Sequence, residues 1–204
     1  MSILVRPEEP ADAAAVRRVI AAAFRPADGA ADGAADGAVD GTRNGITLGS
    51  TDGITDSTVG GAGGAGGAGG AGGAVAEVAL YEALRRDPAW IPELCLVAVR
   101  DGRVVGQLTS SSGTLTDSAG DRRRLVGVGP VAVHPDQQGT GVGRALLSSL
   151  IDRARPAGES ALVLLGDPAF YGRFGFRPAA DVGIDAPDPA WGEHFMALVL
   201  RDGL

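Results

Sequence analysis

The sequence contains no lysine: all 18 basic residues are arginine. That absence excludes Schiff-base lysines, phosphate-loop lysines and kinase-type lysines. Cys95 is the sole cysteine, so no intrachain disulfide forms and no thiolate metal cluster can be built. The two histidines, His134 and His194, lie too far apart in sequence to form a local metal motif. No apolar run approaches membrane-spanning length, and the N-terminal stretch mixes Glu8, Glu9 and Asp12 into its first turns where a signal peptide needs an apolar core. A cytoplasmic protein without membrane partners is the expectation. Arg122, Arg123 and Arg124 form one local basic cluster, read as a solvated loop. The chain otherwise lacks the basic field that nucleic-acid binding requires, its formal net charge being −7.

The 33 glycines are abundant but unevenly placed, since 17 of them fall between Ala27 and Ala74. That stretch has two repeats. Gly29, Gly33, Gly37, Gly41, Gly45, Gly49 and Gly53 recur every fourth residue, and five "GGA" units then run from Gly60 to Ala74. Six aspartates against Arg43 give it five of the seven net negative charges. Glycine makes ordering costly and alanine offers little area to bury, so residues 27–74 are expected to be a disordered insertion. Calcium-binding glycine-rich solenoids need a nine-residue period with large inward apolar residues, and this period is four. Residues 1–26 and 75–204 then make one domain of ordinary size.

Within that domain "ILVR" (3–6) reads as a strand and Pro10–Phe24 as a helix, its apolar face carried by Val16, Val19 and Ile20. A second helix starts at Val75 and stops before Pro88. "LCLVAVR" (94–100) and "VVGQLTS" (104–110), joined through Asp101-Gly102, form a hairpin. After a polar loop come a buried strand at 125–133, a helix from Gly141 to Arg155, a buried strand at 160–166, a short helix at 167–174 and a closing strand at 194–200. The segment 125–166 predicts a parallel strand crossover inside a mixed sheet, hence an α/β (α+β) architecture.

"HPDQQGTGVGRALL" (134–147) places Gly139, Gly141 and Gly143 between a buried strand and a helix N-terminus. Unpaired N–H groups and the helix dipole attract phosphate there, and glycine lets an anion approach the backbone. The spacing is Gly-x-Gly-x-Gly, which is neither the dinucleotide fingerprint nor a phosphate loop.

With its preceding "VAVHP" this stretch resembles the coenzyme A motif of the GCN5-related N-acetyltransferases, Gln/Arg-x-x-Gly-x-Gly/Ala, matched by Gln138, Gly139, Thr140, Gly141, Val142 and Gly143. A second mark of that family, an aromatic residue before a Gly-Phe pair, is met by Tyr171, Gly175 and Phe176, and "LGDPAFYGRFGF" is similar to the YhbS-like subgroup. The resemblance spans everything but the insertion. It implies a mixed, mostly antiparallel sheet with a splayed parallel pair, flanked by helices, and acetyl-CoA as co-substrate without a metal. Backbone groups of Gly139, Thr140, Gly141, Val142, Gly143 and Arg144 would hold the pyrophosphate. The edge of Val131, Ala132 and Val133 would bind the pantetheine arm, with an N–H of Val131 or Val133 polarising the acetyl carbonyl; Pro130 has none to give.

The resemblance also implies direct attack of a neutral amine on the thioester, with Tyr171 as the acid that protonates the leaving thiolate. The acceptor would be a small-molecule or protein amine, and a homodimer is expected by analogy alone. Family members often carry a carboxylate base on the central strand, but "LVGVGPVAV" has none. Glu77, Glu82, Glu93, Glu193, His194 or an ordered water are left as proton acceptors. Asp167 before Pro168 reads as a helix cap, Cys95 as a core residue, Phe174 and Phe176 as packing at the sheet edge, and Trp90 as either lining the acceptor cleft or, the favoured reading, capping the second helix. The rival reading is a silent coenzyme A or acyl-CoA binding module, which would keep the loop and dispense with Tyr171. A different short acyl group is a third.

Overall fold

In the computed structural model the described residues are 2–25, 72–116 and 122–201. Seven strands form one sheet in the order β1-β2-β3-β4-β5-β7-β6. The strands are β1 (Leu4–Pro7), β2 (Leu96–Arg100), β3 (Arg103–Thr116), β4 (Arg122–Val133), β5 (Ala161–Leu165), β6 (Arg177–Pro178) and β7 (Phe195–Val199). The helices are α1 (Ala13–Ala23), α2 (Gly72–Arg86), α3 (Val142–Ala157) and α4 (Pro168–Tyr171). Every neighbouring pair is antiparallel except β4 and β5, which run parallel through the α3 crossover. This is the expected mixed sheet, with β6 as an addition too short for an apolar pattern to announce.

The period-2 alternation of the strands sorts their side chains between two faces. Leu96, Ala98, Leu108, Val126, Val131, Leu162, Leu164 and Met196 face α3, whose Leu146, Leu147 and Leu150 are fully buried in the same cluster. Burying each such leucine is worth about 1.5–3 kcal/mol, which fixes α3 against the sheet. On the opposite face the apolar layer is divided. Val97 and Ala132 pack under α1 and α2 with Val16, Ile20 and Tyr81, while Leu125, Val163, Leu165 and Phe195 pack with Ile184 in a separate cluster. The division coincides with β4 and β5 drawing apart.

Several boundaries differ from the sequence expectation. The second helix begins at Gly72, so residues 72–74 belong to it; the rest of the 27–74 insertion lies outside the described residues. Ser111–Thr116 continue β3, pairing with Arg122–Gly127 of β4, so the arginine cluster sits on a strand. Extended backbone with β-branched Thr114 and Thr116 opposite arginine stems explains this, and Arg124 also reaches Glu159 at 2.9 Å. Helix α3 runs two residues past Arg155 because left-handed Gly158 ends it, donating to the carbonyls of Ala154 and Arg155.

Candidate active site

Strand β4 is paired with β5 only at Val126 and Gly127, whereas its other edge is bonded to β3 nearly throughout. The separation starts where β4 changes phase: Gly129 has φ +149°, the register against β3 shifts opposite Thr109, and Val128 and Val131 both face α3. Gln107 and Thr109 stabilise this irregularity from β3. Gln107 Nε2 donates to the Pro130 carbonyl at 3.0 Å, and Thr109 Oγ1 donates to Gln107 Oε1 at 3.1 Å. Neither residue was singled out by the sequence, because buried polar side chains inside a strand look like breaks in its pattern.

Beyond that point the direction of the β4 backbone follows from one bond. The His134 N–H donates to the Val105 carbonyl of β3 at 2.8 Å. Antiparallel ladders alternate, so Ala132 also points to β3, and the backbone groups of Val131 and Val133 point into the gap. The Val133 carbonyl is engaged there by Gln138 Nε2 at 3.3 Å. The three strand residues singled out by the sequence are thus brought together, but only Val131 and Val133 present backbone groups to the open side.

The strand leads straight into the glycine loop. Gly139 (φ +71°) and Gly141 (φ +89°) are left-handed, and a Cβ built on either would meet nothing within 4 Å. They are therefore glycine for backbone conformation, and the space beside them is open. Gly143 is buried in the first turn of α3. Arg100, at the end of β2, clamps the loop from beneath through Gln137 Oε1 and through Thr140 Oγ1 at 3.1 Å. Its Nε is enclosed without a hydrogen-bond partner. No motif marks Arg100, and its role in the loop appears only from the fold. The glycine loop and the N-terminus of α3 that follows it offer backbone N–H groups suited to an anion, with Arg144 in the first helical turn.

Tyr171 ends α4, whose first turn is capped by Asp167 accepting from the Ala169 N–H at 2.8 Å, with Pro168 as the first helical residue. Its ring is 2% exposed and sits in the core cluster that includes Val128, Val131 and Leu164. Phe170 and Phe176 meet it edge-on at 5.0 and 5.9 Å between centroids. The hydroxyl makes no hydrogen bond to any described residue, and it is not sealed in, since Arg100 Nε is the only enclosed orphan among them. Burial, then the charge of Asp167, pushes its pKa up, so the phenol is neutral at physiological pH.

Gly166, just after β5, lies directly against this ring; a Cβ there would overlap it. Gly166→Ala is expected to displace Tyr171 and cost about 1–3 kcal/mol by overpacking, lowering the melting midpoint by roughly 2–10 °C. An unchanged midpoint in scanning calorimetry would contradict this packing.

The other sequence candidates separate cleanly. Cys95 is fully buried, its Sγ between the backbone N–H and carbonyl of Ser110 at 3.2 Å, and burial pushes its thiol pKa up. Trp90 follows α2, meets its Tyr81 edge-on at 6.2 Å and packs against the cluster under α1 and α2. Phe176 belongs to the main core, not the sheet edge, whereas Phe174 lines a cleft between α3 and α4. Glu82 is ion-paired with Arg17 and Arg86. Glu93, Glu193 and His194 are exposed. Glu77 alone is half-buried without an ion pair or hydrogen bond among the described residues, and burial pushes its carboxyl up to about 7.

Residues 76–179 match the family model described as an acetyltransferase (GNAT) domain. The chain is 40% identical over 128 residues to the uncharacterized N-acetyltransferase YhbS of Escherichia coli K12, covering 62% of this chain and 74% of that one. It is 34% identical over 119 residues to the uncharacterized N-acetyltransferase YjhQ of the same strain, covering 58% of this chain and 65% of the relative. A GNAT family acetyltransferase from Brucella melitensis, solved in complex with acetyl-CoA, superposes with a TM-score of 0.61 at 27% identity, over 100% of this chain and 91% of that one. With an open parallel pair, a glycine loop at the next helix and a matching family model over half its length, this chain belongs to the GNAT acetyltransferase family.

Proposed function

We propose that this protein is an acetyl-CoA-dependent N-acetyltransferase that passes the acetyl group directly to a primary amine. The observation that carries the reading is the run of unpaired β4 edge, residues 128–133, into the glycine loop, with the free Tyr171 hydroxyl behind it. The family's solved relative from Brucella melitensis holds acetyl-CoA, and the residues present here fit that co-substrate. N–H groups of Gly139 to Arg144 hold the pyrophosphate, supported by Arg100. The open groups of Val131 and Val133 bind the pantetheine amides, and one of their N–H groups polarises the thioester carbonyl.

The acceptor approaches on the α1–α2 face, where the apolar layer is divided. Its ammonium must lose a proton before attack. We assign Glu77 as the group that takes this proton. It lies on α2 one turn before Tyr81, whose ring packs in the cluster containing Ala132 of the open strand. Tyr171 then supplies a proton to the departing thiolate. The phenol keeps its proton at physiological pH, as this role needs, and the presence of a tyrosine at the family spacing is what favours the enzyme over the silent-module reading. Wild-type protein incubated with acetyl-CoA and an amine panel is expected to release free thiol with formation of the acetylated amine, read by mass spectrometry. Thiol release without an acetylated amine contradicts amine transfer.

Glu77 also predicts a pH-dependent stability. Its folded pKa, about 7, lies above the ordinary carboxyl value of 4.5, so the fold favours the neutral acid. That contribution is complete below about pH 4.5 and is lost as pH rises through 7. Glu77→Gln is therefore expected to gain little at pH 4.5 and about 1–2 kcal/mol at pH 8, after allowing for partial solvation. Urea titrations at the two pH values measure it, and a gain independent of pH rejects the burial argument.

A further inference from the structure

Two polar side chains of β3, Gln107 and Thr109, are fully buried. Gln107 stands opposite Val97 of β2 and Ala132 of β4, and both of these pack under α1 and α2, so its carboxamide lies on that apolar face. Polar groups are costly there unless hydrogen-bonded. Both are bonded, and in series: Thr109 Oγ1 donates to Gln107 Oε1 at 3.1 Å, and Gln107 Nε2 donates to the Pro130 carbonyl at 3.0 Å. Chemistry fixes this order, because a carbonyl only accepts and the amino group of Gln107 must therefore face Pro130.

The Pro130 carbonyl belongs to the same peptide group as the Val131 N–H. That peptide is trans and planar, so its C=O and N–H point in opposite directions. Drawing the carbonyl toward β3 aims the Val131 N–H across the strand, into the gap left where β5 pairs with β4 only at Val126 and Gly127. Accepting a hydrogen bond also polarises the peptide and makes its N–H a stronger donor, as in any chain of hydrogen bonds. Val133, the other open residue, is supported differently: the carbonyl before its N–H belongs to Ala132, which meets β3 through the ordinary ladder. Val133 also adjoins the glycine loop, whereas Val131 lies about 6–7 Å further back along the strand, toward the point of divergence. A pantetheine arm that starts from a pyrophosphate at the loop brings its thioester to Val131.

Resting on the co-substrate reading above, we propose that Gln107 and Thr109 are positioning residues that aim and strengthen the Val131 N–H as the donor to the thioester carbonyl. The chain of bonds runs from the Thr109 hydroxyl through the Gln107 carboxamide and the Pro130–Val131 peptide to the acetyl oxygen.

Isotope-edited infrared spectroscopy reads that last bond, using acetyl-CoA labelled with carbon-13 at the acetyl carbonyl and no amine acceptor. Wild type, Gln107→Met, Thr109→Val and the double variant are compared at saturation, which calorimetric titration of each establishes. Weakening one hydrogen bond is expected to reduce acetyl-CoA affinity no more than about 10-fold. The bound carbonyl stretch is expected at its lowest frequency in wild type, higher in Thr109→Val and highest in Gln107→Met, with the double variant equal to Gln107→Met. That non-additivity separates a relay from two independent packing defects. A frequency unchanged in both single variants, or a double variant shifted well beyond Gln107→Met, overturns the relay while leaving the co-substrate reading intact. If Gln107→Met does not fold, Thr109→Val decides alone: an upward shift supports the relay and an unchanged frequency overturns it. Absence of acetyl-CoA binding by wild type overturns the co-substrate reading, and the relay with it.

Discussion

Tyr171→Phe is expected to lower acetyl transfer by about 100-fold or more while leaving acetyl-CoA affinity within about twofold, because a positioned general acid contributes about 10²–10⁴. The substitution removes one oxygen and nothing else that the fold uses. The ring makes the contacts with Phe170 and Phe176, and the hydroxyl has no partner among the described residues to lose. The variant should therefore melt within a few degrees of wild type. Steady-state thiol release beside a thermal scan separates the two effects. A variant with wild-type turnover would remove Tyr171 from the chemistry, and one that binds and melts normally but does not turn over would confirm its role as the acid.

Gly141→Trp should abolish acetyl-CoA binding, raising the dissociation constant at least about 100-fold. Two physical effects add. At φ +89° a side chain is strained by about 1–2 kcal/mol, and an indole fills open space beside the loop where a pyrophosphate must lie. Because a Cβ at this position would meet nothing within 4 Å, the side chain starts into open space, and beyond the backbone strain the loss is expected to fall on the ligand. Binding retained within tenfold would show that the anion does not use this backbone.

The heart of the fold was legible because its signals are local. A continuous apolar run, three glycines and an amphipathic stretch predicted the crossover from 125 to 166, and β4, α3 and β5 lie there. Asp101-Gly102 predicted the β2–β3 turn, both residues having positive φ. Less was legible where pairing partners are distant. Ser111–Thr116 looked like a loop because Ser110 and Ser111 are polar, yet both are buried, and Ser110 Oγ donates to the Leu94 carbonyl at 2.8 Å. The place of β7 between β5 and β6 depends on long-range pairing that no local pattern encodes.

The candidate site divides in the same way. Loop glycines and Tyr171 carry family spacing, so a sequence alone singles them out as candidates. Val131 and Val133 could be told from Ala132 only through the direction of the ladder. Arg100 reaches the loop through Gln137 and Thr140, neighbours distant in sequence that a single sequence does not display. Glu77 stood among several carboxylates until burial and ion pairing separated them: Glu82 is held by Arg17 and Arg86, and Glu77 by nothing among the described residues.

Titration of the wild-type protein with acetyl-CoA in a calorimeter tests the central claim most directly, since everything proposed for the gap between β4 and β5 requires the co-substrate to enter it. The account predicts saturable one-to-one binding in the micromolar range, with a negative heat-capacity change from burial of the pantetheine arm. No heat and no thermal shift at millimolar acetyl-CoA would contradict it.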